Sequence, residues 1–289
     1  MLELQKISPK NINAAIKFLL QHEAFCVDLM SEVLALKKNF IGSTKSGTKS
    51  FLLLSEQKVI AVFYLQTDKT FLFCFPKVDD NALKFFFTRT KKFFATYRIN
   101  TIMGTKLFSR QLELFLSTCF HYKLIKRNEY FLLHNDAPLQ HAAVKTDDAL
   151  FFSRCTNDDI EKLLPLELAY EKEELEIENG NPYFSKQYLI HMINEHFVFK
   201  CEYQNTIIAR MHTNAIGMHC KQFGGVYTVK EFRRCGVAKK LFRYAMHYLS
   251  TSTKSFILFV KTKNIPAINL YKALGFTKID DFEIIQLSK

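Results

Sequence analysis

The sequence predicts a mixed α/β (α+β) protein of two domains, each a mostly antiparallel mixed sheet flanked by helices. Three observations carry that expectation. The chain has 289 residues, room for two domains of ordinary size. Its residues are 48% apolar and 14% aromatic, which favours packed cores over disorder. The same order of elements also recurs: a strand, helices, three strands, a helix, a strand, a helix and closing strands. This repeat puts the domains at 1–145 and 146–289, with Gln140–Thr146 as the junction.

In the first half, Leu2–Ile7 reads as a strand, Ser8-Pro9 as a helix start, and helical patterns follow to about Ala35. The Lys-, Ser- and Gly-rich stretch Lys37–Ser50 reads as a loop. Three apolar runs, Phe51–Ser55, Val59–Gln66 and Phe71–Phe75, are strands. A helix over Asp80–Phe94, a strand Thr101–Thr105, a helix Ser109–Phe120 and strands across Tyr122–Leu133 complete it.

The second half runs strand Leu150–Arg154, helix Asp158–Glu173, helix Ser185–Glu195, and strands Phe197–Tyr203, Thr206–Asn214 and Cys220–Thr228. A helix from Val237 follows, with Leu241, Tyr244, Ala245, Tyr248 and Leu249 on one face and Lys239, Lys240, Arg243 and His247 on the other. Then come a strand Ser255–Val260, a helix opened by Asn264 and Pro266 and stopped by Gly275, and terminal strands across Phe276–Leu287.

The join between Thr228 and Val237 is the chemically telling segment. An apolar strand with Gly224-Gly225 leads through a basic turn, Lys230 to Gly236, into a helix. Helix N-terminal N–H groups lack intrahelical partners, and the helix dipole makes them an anion site. Gly236 and Ala238 keep bulk away from the main chain, and Arg233 and Arg234 add positive charge. A plain strand-turn-helix connection would use glycine in the same way.

With Asn264–Phe276, this segment resembles the GNAT superfamily of acyl-CoA-dependent N-acetyltransferases. The acyl-CoA signature, Gln/Arg-x-x-Gly-x-Gly/Ala, is met by Arg233, Gly236 and Ala238. The second signature is met by Asn264, Ala267, Tyr271, Gly275 and Phe276. Leu166–Glu174 and the Gly-Gly-Val-Tyr-Thr strand resemble a two-domain branch of that superfamily. The resemblance covers about residues 150–289. Where many members carry Gly after the signature Arg and Pro before the aromatic, this chain has Arg234 and Lys230. No matching signature occurs around Asp79–Phe94, so the first domain reads as a degenerate copy and the second as catalytic.

The resemblance implies acetyl-CoA as co-substrate and a primary amine as acceptor, attacking directly in a ternary complex. The turn residues Arg233, Arg234, Cys235, Gly236, Val237, Ala238 and Lys239 would hold the diphosphate. The main chain of Val226, Tyr227 and Thr228 would pair with the pantetheine arm, and Asn264 and Ala267 would complete the cofactor site. Tyr271 is then the acid that protonates the thiolate. Glu173 is the candidate base, with Tyr170, Glu174 and Asn214 as acceptor-binding residues. A glutamate run is also what a solvated helix face looks like, and a tyrosine on a helix stripe what a core looks like.

Other classes are excluded or set aside. His212, His219 and Cys220 lack a spaced fourth ligand, so no metal is expected. The net charge of +12 falls mostly in the first half, but its lysines are dispersed without stacking aromatics, which argues against nucleic acid. Seven scattered cysteines, no long apolar run and no leader-like start suggest a cytoplasmic protein away from membranes. The acceptor is a small-molecule or peptide amine, and a homodimer is compatible with the reading. A non-catalytic acyl-CoA sensor or scaffold and acyl transfer onto an RNA-associated or protein substrate stand as alternatives.

Overall fold

The computed structural model describes residues 1–42, 49–136 and 149–289. In chain order they form β1 (Leu2–Lys6), α1 (Ile12–Gln21), α2 (Val27–Gly42), β2 (Ser50–Ser55), β3 (Lys58–Leu65), β4 (Thr70–Cys74), α3 (Asp80–Thr96), β5 (Thr101–Thr105), α4 (Lys106–Phe120) and β6 (Lys123–Asn135). There follow β7 (Leu150–Arg154), α5 (Ile160–Glu174), α6 (Pro182–Glu195), β8 (Val198–Tyr203), β9 (Thr206–Ile216), β10 (Cys220–Thr228), α7 (Val237–Leu249), β11 (Ser255–Lys261), α8 (Ile265–Ala273) and β12 (Thr277–Ser288). The mixed, largely antiparallel α/β class is the one expected.

Two compact units emerge, and they are not contiguous in sequence. One comprises Met1–Leu133, Phe259–Ile265 and Lys278–Lys289, and the other His134–Leu258 and Pro266–Thr277. Two C-terminal segments therefore group with the first unit, unlike the ranges 1–145 and 146–289. The expected junction at Gln140–Thr146 lies outside the described residues.

In the first unit the strand order is β1-β2-β3-β4-β5-β12-β6. The C-terminal β12 lies antiparallel to β5, with Ile284 opposite Met103. A buried carboxylate secures it: Glu283 accepts hydrogen bonds from Arg110 Nε and Nη2 at 2.9 and 2.7 Å. The sheet has apolar contacts on both faces. Phe63, Phe86 and Phe108 belong to one cluster, with Phe63 and Phe86 stacked at 4.2 Å, and Leu19, Met30 and Val33 belong to the other. The Lys37–Ser50 loop expectation is corrected at its start, because α2 carries on to Gly42; the segment 43–48 lies outside the described residues. Each of the regions expected to hold several strands at 122–133 and 276–287 is a single long strand, β6 and β12.

In the second unit the order is β11-β10-β9-β8-β7. α5 and α6 pack over Val198, Ile207 and Tyr227 through Leu163, Leu166 and Leu189. α7 buries Val237, Leu241, Phe242, Ala245, Met246 and Leu249. Tyr244 is half-buried and Tyr248 exposed, so the apolar stripe turns toward Phe242 and Met246 rather than the two tyrosines.

Candidate active site

β10 is where the second unit's sheet is broken. Gly224 pairs with His212 while Tyr227 pairs with Arg210, so three steps along β10 oppose two along β9, which is a β-bulge. Gly225 sits in this bulge at φ +57°, and a Cβ there would lie 1.9 Å from His212 Nε2. Glycine is required twice over, by the left-handed backbone and by the imidazole. β9 carries its own extra residue, Asn214, whose side chain lies against Gly224. The parallel ladder of β10 with β11 runs from Cys220↔Ser255 to Phe223↔Leu258, whereas β10 goes on to Thr228. The bulge thus begins where that ladder ends.

Past Thr228 a short helical turn, Lys230–Phe232, leads to two left-handed residues, Arg234 at φ +63° and Gly236 at φ +77°. Arg234 occupies a conformation that glycine adopts without cost, which explains the commoner Gly in that slot of the signature. Gly236 caps α7 with no side-chain hydrogen bond. The first-turn N–H groups of α7 consequently have no side-chain cap, and no acidic residue stands in that turn. Val237 is buried, while Ala238 and Lys239 are half-buried and Cys235 is an exposed free thiol.

Arg233 is not aimed as the sequence suggested. Its Nη2 donates to Glu173 Oε2 at 2.7 Å, its Nε donates to the Thr228 carbonyl at 2.8 Å, and its guanidinium stacks on the Tyr227 ring. Tyr227 in turn donates to Glu173 Oε1 at 2.9 Å. These bonds brace the turn against the end of α5. They also correct the reading of Glu173: burial pushes its pKa up, but hydrogen bonds from Arg233 and Tyr227 and the charges of Arg233 and Lys230 hold it below the usual carboxylate range. A carboxylate so committed is a structural anion and a poor proton acceptor. Thr228 likewise has its carbonyl occupied by Arg233.

Tyr271 is buried on α8 with its ring edge-on to Phe242 and Phe276. Burial, then the neighbouring Tyr170 and Glu174, push its phenol pKa up, so it stays protonated as an acid must. Tyr170 and Glu174 are thus near enough to Tyr271 to influence its phenol. Ala267 lies on α8, and Asn264 immediately precedes that helix in a segment grouped with the first unit.

Around His212 the structure adds a buried charged pair that sequence reasoning passed over. Arg210 and Glu167, both buried, pair at 2.7 Å, and the Arg210 guanidinium lies 4.8 Å from the Tyr170 ring centroid. Burial raises the Glu167 pKa, Arg210 lowers it and Glu171 raises it again, with a net upward shift. His212 is buried with its pKa well down, from burial first and Arg210 second, so its imidazole is neutral. Asn214 and the Thr213 backbone lie near His212, yet neither ring nitrogen makes a hydrogen bond of good geometry. Tyr188 stands edge-on to His212, and Ser185 donates to Glu171 at 2.7 Å. The available signal was the i, i+2 spacing of Arg210, His212 and Asn214 in a strand otherwise rich in apolar residues. Among the described residues no three His, Cys, Asp or Glu side chains gather as for a metal ion. Among them, too, no helix is long and apolar enough to cross a membrane.

Residues 160–276 match the Acetyltransferase (GNAT) family. Over 99% of this chain and 98% of the other, the fold matches a tandem GNAT protein from the clavulanic acid biosynthesis pathway, with a TM-score of 0.62 and 11% identity. A Drosophila protein matches over the same shares with a TM-score of 0.70 and 12% identity. A GNAT-family acetyltransferase from Colwellia psychrerythraea matches over 99% of this chain and all of its own, at 0.52 and 12%. No curated protein is significantly similar in sequence. At these identities the structural matches speak for the fold alone.

Proposed function

We propose that the chain transfers an acetyl group from acetyl-CoA to a primary amine in the second unit, a reading supported by the match of residues 160–276 to the GNAT acetyltransferase family and of the whole chain to the tandem GNAT fold. One observation carries this: a bulged β10, free of its β11 ladder beyond Phe223, leads directly to an uncapped helix start at Gly236. That succession offers main-chain hydrogen bonds to a pantetheine arm and N–H groups to a diphosphate.

The turn that receives the diphosphate comprises Arg234 to Lys239, with Arg233 acting as its brace. Val226 and Tyr227 offer main-chain groups to the arm, and an N–H at the bulge meets the thioester oxygen as charge develops on it. Ala267 completes the cofactor side. Tyr170, Glu174 and Asn214 receive the amine. As the amine nitrogen bonds to the acyl carbon, the carbon–sulfur bond breaks, the Tyr271 phenol gives its proton to the departing sulfur, and the proton shed by the amine nitrogen leaves to water, from which the phenolate recovers its own. The braced Glu173 is given no proton-transfer role.

The test is acetyl-CoA turnover, read as CoA release and acetylated product, across a panel of small and peptide amines. Wild type transfers acetyl to at least one class. Tyr271→Phe lowers kcat about 100-fold and leaves acetyl-CoA affinity within about twofold. Unchanged kcat would remove Tyr271 from the mechanism, and tight acetyl-CoA binding without turnover would make the chain an acyl-CoA sensor.

A further inference from the structure

The first unit repeats the strand-turn-helix of the second, but its helix start is closed. β4 and β5 run parallel from Thr70↔Thr101 to Leu72↔Met103, and both strands continue beyond that ladder, to Cys74 and Thr105. A turn from Phe75 then enters α3. This arrangement is the counterpart of β10, β11 and α7. At α3, however, Asp79 Oδ1 accepts from the Ala82 N–H at 2.8 Å and Asp80 follows in the first turn. Asp79 occupies the cap, and the two carboxylates at the positive end of the helix repel phosphate. A CoA diphosphate has no seat there.

Where β4 and β5 pass the end of their ladder lies a cavity of 310 Å³, walled chiefly by Phe25, Phe73, Phe75, Val78 and Leu107, with Thr105 and Asp280 as polar groups. The volume suits a small ligand, and apolar walls with few polar groups are how such sites are built. Its aromatic wall is held in place. The Phe73 ring presses on Gly104, where a Cβ would fall 2.2 Å from it, and both Phe73 and Phe75 pack on Phe108, at 4.5 and 5.4 Å. Asp280 is the one charged residue of the wall. It is half-buried, and its Oδ1 accepts from the Asp281 N–H, which uses one of about four acceptor positions of a carboxylate.

We propose that this cavity binds a compact apolar amine, its hydrocarbon or aryl body against the phenylalanines and its ammonium at Asp280 and Thr105. The cofactor cleft of the degenerate copy has thereby become a separate ligand site. Asp280 excludes carboxylates and phosphates from it, and the ring wall excludes strongly hydrated polyamines.

Isothermal titration of the full chain with 4-phenylbutylamine tests this. The amine binds, the neutral 4-phenylbutanol binds about tenfold more weakly, as the loss of one charge-assisted hydrogen bond implies, and 4-phenylbutyrate does not bind. Asp280→Asn weakens the amine about tenfold and leaves the alcohol unchanged, while Val78→Trp fills the cavity and abolishes both. Saturating acetyl-CoA displaces neither. The proposal is overturned if the amine does not bind, if the amine and the alcohol bind wild type equally, or if amine binding survives Val78→Trp. Displacement by acetyl-CoA also overturns it, since the amine would then be in the second unit. Should Val78→Trp fail to fold, the Asp280→Asn comparison decides alone, because that side chain is only half-buried.

Discussion

Gly225→Ala isolates the two reasons why glycine stands in the β10 bulge. The backbone there has φ +57°, and an L side chain in that region costs about 1–2 kcal/mol. The new methyl would also begin 1.9 Å from His212 Nε2, so the buried ring must move, an overpacking cost of about 1–3 kcal/mol. The sum is about 2–5 kcal/mol. Gly236→Ala is the internal control: φ is +77° and nothing lies within 4 Å of its added Cβ, so the backbone cost of about 1–2 kcal/mol acts alone. Equilibrium urea unfolding followed by circular dichroism measures both. Adding His212→Ala to Gly225→Ala removes the clash, and the double-mutant cycle should show a coupling of about 1–3 kcal/mol. Additivity in that cycle, or equal losses at Gly225 and Gly236, refutes the steric part of the reasoning.

Two further outcomes follow from the buried and half-buried charges. Glu167→Gln leaves Arg210 charged and unpaired inside the second unit and should cost about 3–5 kcal/mol, whereas Glu167→Met with Arg210→Met should regain most of it, both read by urea unfolding. Glu173 has its pKa held below the ordinary 4.5, so its contribution is fully present above pH 4.5 and is lost as pH falls through the lower folded value. Glu173→Gln should accordingly flatten the acid limb of the stability profile and cost only about 0.5–1 kcal/mol near neutrality, as a partly exposed pair. Its kcat should fall far less than the ~100-fold expected on losing a general base.

Much of the candidate site was legible because it depends on local backbone chemistry. A glycine between a basic turn and an amphipathic helix means a left-handed, uncapped helix start wherever it packs, and Gly236 is that. Asn264, Pro266 and Gly275 likewise mark the bounds of α8 through capping preferences that act within a few residues. The misreadings concern partners far apart in sequence. Arg233 and Glu173 are separated by sixty residues, and nothing local says that the signature arginine turns to a glutamate instead of standing free. Glu167 and Arg210 carry no local mark of their pairing either, since only burial in the folded unit brings them together. Even Lys37–Gly42, loop-like in composition, is held in α2 as the end of a helix whose earlier turns pack against the sheet.

The sequence by itself determined the class of fold and the left-handed, uncapped start of α7 at Gly236, because these follow from residue-by-residue backbone preferences. Tertiary structure alone decided which charges are spent on bracing, where a cavity persists in the degenerate copy, and where the last strand goes. β12 reads as a strand from its own residues, but ladder hydrogen bonds are made by the main chain and name no partner. Its place beside β5 is set by side chains from distant segments, above all the buried Glu283 meeting Arg110.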